Sequence, residues 1–190
     1  MEPVSDATTH ATSRAAGHLR RSFGQRLLAA LKLEAALYEE VEHDASALPQ
    51  AAGVVALAAV ASALGSLGAF GSAALLSGLI AAFVSWVLWA AIVWLVGVKV
   101  FAHTSDFEEL LRTLGFVAAP QLLYVLAIIP FGLWQALVAL VVVVMTLVAF
   151  VRATRQVLDV DTGRALVVAG LGVLAYLLLG AAFAAVARIV

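Results

Sequence analysis

Cysteine is absent from this 190-residue sequence, and charged side chains are scarce at 12%. The lack of cysteine excludes disulfides, thiolate metal sites and cysteine nucleophiles. Charged residues are about half as frequent as in an ordinary soluble domain, whereas apolar residues make up 64% of the chain. A soluble domain of this length cannot bury so much apolar surface. The composition therefore predicts an integral membrane protein. The net charge of −1 gives no basic field for nucleic acid, which is not expected as a partner.

Catalytic motifs are lacking as well. The sequence contains no Gly-x-Ser-x-Gly turn, no phosphate-binding loop and no His-Glu-x-x-His pair. Membrane-embedded enzymes need ionisable groups near the membrane plane, and here the apolar stretches have none. The sequence therefore predicts a protein that is not an enzyme and that needs no cofactor.

Three long stretches contain no charged residue, namely 45–98, 113–151 and 165–187. Because one helical span needs about 20 residues, these stretches hold two, two and one spans. Glycine-rich and Pro-Phe-Gly turns near residues 68–72 and 129–132 separate the paired spans. The expected fold class is an all-α polytopic membrane protein with five transmembrane helices in a domain of residues 45–190. The spans are predicted near 51–68, 74–99, 114–129, 133–152 and 165–187.

The basic residues predict the orientation. Ten of the eleven lysines and arginines precede the first span or lie in the loops after the second and fourth spans. The positive-inside rule places this face in the cytoplasm, with the N-terminus inside and the C-terminus outside. All twelve acidic residues and all four histidines lie on the same side. Any charge-dependent binding is therefore expected at the cytoplasmic face.

Two amphipathic stretches are predicted beside the spans. Residues 1–18 form a disordered cytoplasmic tail, and 19–44 form an amphipathic helix that lies either in the headgroup layer or against the protein. A second amphipathic helix covers Ser105–Phe116, with Ser105 or Asp106 as its N-cap and Glu108 completing a capping box.

An acidic cluster directly precedes the first span. Helical spacing brings Glu39 towards His43 and Glu40 towards Asp44, so that these four residues are candidate ligands of a divalent cation. The alternative is a solvated helix end that pairs with loop arginines.

Within the spans, the row Ala61, Gly65 and Ala69 predicts close helix packing. Pro120, beside Gln121, is expected to kink the third span, and Pro130 is expected to end it. A kink next to a polar side chain, together with a faint parallel repeat of Glu-Glu and Pro-Gln passages, favours the alternative function of a transporter, permease subunit or lipid-moving protein.

Several passages resemble the Yip1 domain family. They are Asp106–Phe116, then Pro120-Gln121-Leu122-Leu123, then Ile129–Gly132, and finally Val151–Leu166 with Arg155-Gln156-Val157-Leu158 inside it. The resemblance extends from about Leu27 to Tyr176. Its motif residues are the candidate interaction residues: Phe107, Arg112, Gly115, Phe116, Pro120, Pro130, Arg152, Arg155 and Arg164.

The resemblance implies five membrane helices and a cytoplasmic N-terminus. Eukaryotic members act in vesicle trafficking and bind Rab-type GTPases, but the Ala/Val/Leu/Arg bias of this chain is typical of a prokaryote, where such partners do not exist. The expected function is a non-enzymatic adaptor or membrane-organising component of a prokaryotic inner membrane. Its expected partners are the lipid bilayer, anionic lipid at the cytoplasmic face, and a membrane protein or a second copy of the chain.

Overall fold

The computed structural model describes residues 21–70, 73–100 and 106–187, which are helical with short connections and contain no strand. The predicted tail of residues 1–18 and the candidate cap Ser105 lie outside these ranges. The elements in chain order are α1 (Phe23–Leu31), α2 (Ala35–His43), a short 3₁₀ turn (Ala45–Ala47), α3 (Leu48–Phe70), α4 (Ala73–Val100), α5 (Phe107–Phe116), a long 3₁₀ segment (Ala119–Ile128), α6 (Gly132–Val157) and α7 (Thr162–Ala187).

Helix α3 lies at the centre of the bundle, in contact with α4, α5 and the long 3₁₀ segment. The 3₁₀ segment also packs against α6, and α7 packs against α6 and α4. Helix α2 lies across α5 and α6. At one end of the bundle, α1, α2 and α5 meet the start of α3 and the end of α6. This end, which we call the charged end, is therefore closed by short amphipathic helices. The main apolar core lies here, and it includes Leu37, Tyr38, Val54, Leu110 and Phe116.

The predicted single helix over 19–44 is wrong, because the structure has two helices with a turn at residues 32–34. Leu33 has φ 58°, in the left-handed region. The Glu34 amide donates to the Ala29 carbonyl, and the Leu33 amide donates to the Ala30 carbonyl, both at 3.0 Å. This is a Schellman turn, in which the left-handed position is usually glycine. Its bonds satisfy the last carbonyls of α1 and let α2 leave in a new direction.

Helix α1 packs one side against the bundle and leaves the other side open. Arg26, Ala29 and Ala30 are buried, and the ring of Phe23 lies beside Gly53 of α3. Leu28 on the opposite side is 52% exposed. Of the two alternatives for this stretch, the structure supports packing against the protein for the buried side. The exposed side leaves room for lipid contact, which stays a prediction.

The third predicted span begins earlier than expected and is not a continuous α-helix. Helix α5 stops at Phe116, and the chain continues through the buried Pro120 as a 3₁₀ segment that ends at Ile128. Proline has no amide hydrogen, and its ring collides with the carbonyl four residues earlier, so α5 cannot run through it. The break predicted at Pro120 is thus confirmed, and Pro130 lies after the segment as expected. Such long 3₁₀ stretches are uncommon.

Close packing at Gly65 is confirmed. A Cβ at this position would overlap the backbone carbonyl oxygen of Tyr124, so α3 and the 3₁₀ segment touch through their main chains. The capping box of α5 is also present, with one correction. Glu109, rather than Glu108, accepts a hydrogen bond from the Asp106 amide at 3.0 Å. Glu108 lies 3.7 Å from Arg112 instead.

In the described part of the chain, four stretches are long and apolar enough to cross a membrane. They are Ala45–Gly65, Gly78–Gly97, Phe107–Ile128 and Gly132–Val157, and Thr162–Leu174 is a shorter apolar helix. The chain is therefore a multi-pass membrane protein.

Candidate functional site

The side chain of Arg26 connects α1, α2 and α3 at the charged end of the bundle. It is 1% exposed. Its Nη2 donates to Asp44 Oδ2 at 2.6 Å, its Nε donates to Glu40 Oε1 at 2.9 Å, and its Nη1 donates to Gln50 Oε1 at 3.1 Å. Each of the three guanidinium nitrogens thus donates a hydrogen bond. A buried charge that is paired and hydrogen-bonded in this way does not cause a large loss of stability.

The pKa values of this cluster agree with a structural ion pair. Hydrogen bonding by the Ser46 hydroxyl, together with that of Arg26, lowers the pKa of Asp44 to about 2 although burial acts in the opposite direction. Burial by itself lowers the pKa of Arg26, but the hydrogen bonds to Asp44 and Glu40 outweigh it and raise the pKa. Both groups are therefore charged at neutral pH. These charges hold α1 against α2, and the hydrogen bond to the uncharged Gln50 joins α3.

The cation site predicted from Glu39, Glu40, His43 and Asp44 does not form. Glu40 and Asp44 are occupied by Arg26, and His43 Nδ1 lies 2.9 Å from the carbonyl oxygen of Glu39. Within the described ranges, no group of three or more acidic or histidine side chains is placed to hold a metal ion. The alternative, a solvated helix end that pairs with loop arginines, does not describe the site either, because the partner of Glu40 and Asp44 is the buried Arg26 of α1.

Glu42 is a separate titratable group at this end. Burial raises its pKa to about 7, and the nearby His43 opposes the shift. Its Oε2 is buried and has no hydrogen-bond partner among the described residues. The backbone carbonyl of Glu42 accepts a hydrogen bond from Arg112 Nη2 at 2.9 Å. Arg112 therefore fastens α2 to α5.

The predicted motif face is not an exposed surface. Arg112, Gly115, Phe116 and Pro120 are all buried. A Cβ at Gly115 would lie 2.6 Å from the Cβ of Ala51, so Gly115 lets α5 approach α3. Phe107 is half-buried and packs edge-on against Trp94, with ring centroids 6.4 Å apart. These residues hold α5 in the bundle, and an interface must be sought elsewhere.

Arg152, Arg155 and Arg164 are exposed, as is Pro130 near the opposite end of the bundle. Arg152 donates to the carbonyl of Leu33, which places α6 against the turn between α1 and α2. Lys32 adjoins this turn and Arg155 lies one helical turn beyond Arg152, so we name Lys32, Arg152 and Arg155 the basic edge. Arg164 is distinct, because it pairs with Asp161 at 3.4 Å.

A cavity of about 410 Å³ lies inside the bundle, near the midpoints of α4 and α6. Its wall is largely apolar and includes Trp86, Trp89 and Phe150. Trp86 Nε1 donates to the carbonyl of Leu111 at 3.0 Å, which fixes the ring against α5. The polar side chains in the wall come from α4, the 3₁₀ segment and α6, and they are Ser85, Gln121 and Thr146. The sequence singled out Gln121 at this place, but it did not indicate a cavity.

Comparison with known proteins agrees with this arrangement. Neither a curated protein nor a solved structure matches the chain. The family model of the Yip1 domain matches residues 37–184, which covers α2 to α7 and most of the chain. The matched region includes the buried Gly115, Phe116 and Pro120 together with the residues of the cavity wall. The chain therefore belongs to the Yip1 domain family.

Proposed function

We propose that this chain is a non-enzymatic adaptor of a prokaryotic cytoplasmic membrane, which holds an acidic segment of a second membrane protein on its basic edge. The observation that carries the proposal is the contact between Arg152 and the Leu33 carbonyl, because it brings Arg152 of α6 to the turn after α1 that also carries the exposed Lys32. Lys32 and Arg155 are exposed, and neither takes part in the ion pairs between described residues. Their charge is therefore available to a partner.

The rest of the charged end supports the same assignment. Arg26 and Arg112 are buried and bond to other residues of the protein, so they are not available to bind a partner. Basic side chains close to the membrane surface also attract anionic lipid, at about 1 kcal/mol for each charge. Anionic lipid is thus the competing occupant of the basic edge, and the experiment must separate it from protein.

The test is photo-crosslinking in native membranes with a probe at the exposed Ala36 of α2. We expect a discrete protein adduct that weakens several-fold in the double variant K32Q/R155Q and persists in R164Q, the matched control. Arg152 is left intact because it supports the turn between α1 and α2. Adducts with lipid alone, or a protein adduct that is indifferent to K32Q/R155Q, would contradict the adaptor role.

The proposal includes a fifth span and an orientation. Helix α7 extends over Thr162–Ala187, and 26 residues at 1.5 Å each are enough to cross a bilayer. Five spans put the two termini on opposite sides, and the basic loops favour a cytoplasmic N-terminus. A C-terminal alkaline phosphatase fusion should be active and a cytoplasmic reporter at the same site inactive. The reverse pattern would contradict this topology.

A second candidate function is transport of a lipid or solute along a path near Pro120 and Gln121. The cavity favours it, since Gln121 lies in the wall. Reconstituted protein should then increase flux across liposomes, and Gln121→Leu should reduce that increase.

A further inference from the structure

We infer that the outer side of α1 is a lipid-binding surface, which lies in the leaflet at the charged end of the bundle and contacts acyl chains there. The outer side consists of the exposed residues Gly24, Gln25 and Leu28, bordered by the half-buried Leu27 and Leu31. It has no residue in common with the basic edge. The inference therefore goes beyond the adaptor role and does not depend on it.

The side chains of α1 are distributed in the opposite way to those of a helix that borders water. In a surface helix of a soluble protein, the charged residues face the solvent and the leucines face the core. The one charged residue within α1 is Arg26, which is 1% exposed and faces the bundle, whereas Leu28 is 52% exposed. The outer side thus carries a leucine and no charge. Such a side is stable against hydrocarbon and unfavourable against water.

The contacts of α1 place it beside the membrane-spanning part of the chain. The ring of Phe23 lies 3.7 Å from the position of a Cβ at Gly53, which belongs to the apolar stretch Ala45–Gly65. Helix α1 also contacts the 3₁₀ segment, which forms the second part of the apolar stretch Phe107–Ile128. Gly53 lies about 8 Å along α3 from its first residue, Leu48, at 1.5 Å per residue. This agrees with the depth of about 5–10 Å to which interfacial helices bury their apolar faces.

The surface next to α1 continues into the outer surface of the spans. Leu57 lies one helical turn beyond Gly53, on the same face of α3, and is 43% exposed. Val125 of the 3₁₀ segment is 42% exposed. Both residues belong to stretches that cross the membrane, so their exposed surface borders lipid. The outer side of α1 extends this apolar surface towards the charged end, which favours lipid as its occupant.

The backbone at both ends of α1 is bonded within the protein. The Ser22 amide donates to Gln25 Oε1 at 2.8 Å, and the Gln25 amide donates to the Ser22 hydroxyl at 3.4 Å, which forms a capping box. At the other end, the turn at Leu33 bonds the last carbonyls. Polar backbone groups near acyl chains find little water and must be bonded internally. Helix α1 meets this requirement.

The test uses the absence of cysteine from the chain, because a nitroxide on one introduced cysteine then reports a single site. The full-length protein with L28C is labelled and reconstituted in phosphatidylcholine vesicles. Electron paramagnetic resonance with power saturation compares collisions with oxygen, which concentrates among acyl chains, and with a nickel chelate, which stays in water. The lipid reference is L140C, on α6 at a residue that is 60% exposed, and the water reference is E39C, on the exposed part of α2.

We expect the ratio of oxygen to nickel collisions at L28C to be several times that at E39C and close to that at L140C. G24C is a second probe of the outer side, because Gly24 precedes Leu28 by one helical turn and a Cβ there meets no atom within 4 Å. It should give the same ratio, and it keeps the test decisive if L28C disturbs the packing of α1.

Two results would overturn the inference. Ratios at L28C and G24C equal to that at E39C would show that the outer side faces water. Low collision rates with both reagents would show that it is covered by another part of the chain or by a second copy, rather than by lipid.

Discussion

Replacing Arg26 with methionine tests whether the buried ion cluster holds the charged end of the bundle together. Methionine keeps much of the length of the side chain but removes the guanidinium. Asp44, which is 8% exposed, then loses its hydrogen bond of 2.6 Å from Arg26 and its buried counter-ion, and keeps the two hydrogen bonds from Ser46. Glu40 is more exposed and can turn towards water. The main loss therefore arises at Asp44.

Breaking a buried pair by removing one partner costs about 3–5 kcal/mol. For a chain of this size, that corresponds to a decrease in Tm of about 10 °C. The assay is thermal unfolding of the purified protein in detergent at pH 7, followed by circular dichroism. Arg155→Met is the matched control, because the Arg155 side chain is exposed and takes no part in the ion pairs between described residues. Its Tm should stay within about 2 °C of the wild type.

The triple variant R26M/E40Q/D44N separates lost charge from lost packing. Neutralising the acids removes the buried charge that has lost its counter-ion, so it should recover most of the loss in R26M. A decrease in Tm below about 2 °C for R26M would refute the claim that Arg26 connects α1, α2 and α3. A triple variant as unstable as R26M would instead assign the loss to packing.

Two further predictions concern titration and packing. The pKa of Glu42 is raised to about 7 from 4.5, so its contribution to stability is present below pH 4.5 and lost as pH rises through 7. Glu42→Gln should therefore raise the free energy of unfolding at pH 8 by at most about 3 kcal/mol before screening, which is measured as a higher Tm, and leave Tm unchanged at pH 4; equal effects at both pH values would contradict the burial argument. Gly65→Ala should lower Tm because its Cβ meets the Tyr124 carbonyl, whereas Gly78→Ala, with open space, should not. Equal Tm values for the two variants would contradict the close contact.

The positions of the four long apolar stretches in the described residues followed from the charge-free runs of the sequence, but the end of α1 did not. Sequence analysis looks for glycine or proline at the end of a helix. Here Leu33 and Asp159 occupy the left-handed positions, with φ of 58° and 44°. At Asp159 the Val160 amide donates to the Arg155 carbonyl, which repeats the turn at Leu33. A residue distant in the sequence, Arg152, stabilises the turn at Leu33 through a hydrogen bond to its carbonyl. The residues of the turn themselves contain no pattern from which it could be predicted.

The motif residues show a second limit of the sequence. The resemblance to the Yip1 domain family singled out aromatic, glycine and arginine residues, which were predicted to form an interaction face. The structure places Gly115 against Ala51 and buries Phe116 completely. A pattern of residue types does not tell whether a side chain is used for a partner or for packing, because both uses favour the same residues. Burial decides the question, and burial depends on which helices meet.

Helix α5 explains why packing and the cavity are found together in this fold. Its Arg112 bonds the Glu42 carbonyl of α2, while the carbonyl of Leu111, one residue earlier, accepts the Trp86 indole. Leu114 lines the cavity, and Gly115 brings the helix against α3. Helix α5 has ten residues, and side chains three or four positions apart lie on the same face. Different faces of this one helix therefore contact the charged end of the bundle and the cavity wall. Pro120 then ends α-helical hydrogen bonding, and the 3₁₀ segment that follows carries Gln121 into the wall. The proline thus divides a continuous apolar span into a helix and a 3₁₀ segment that adds Gln121 to a largely apolar cavity wall.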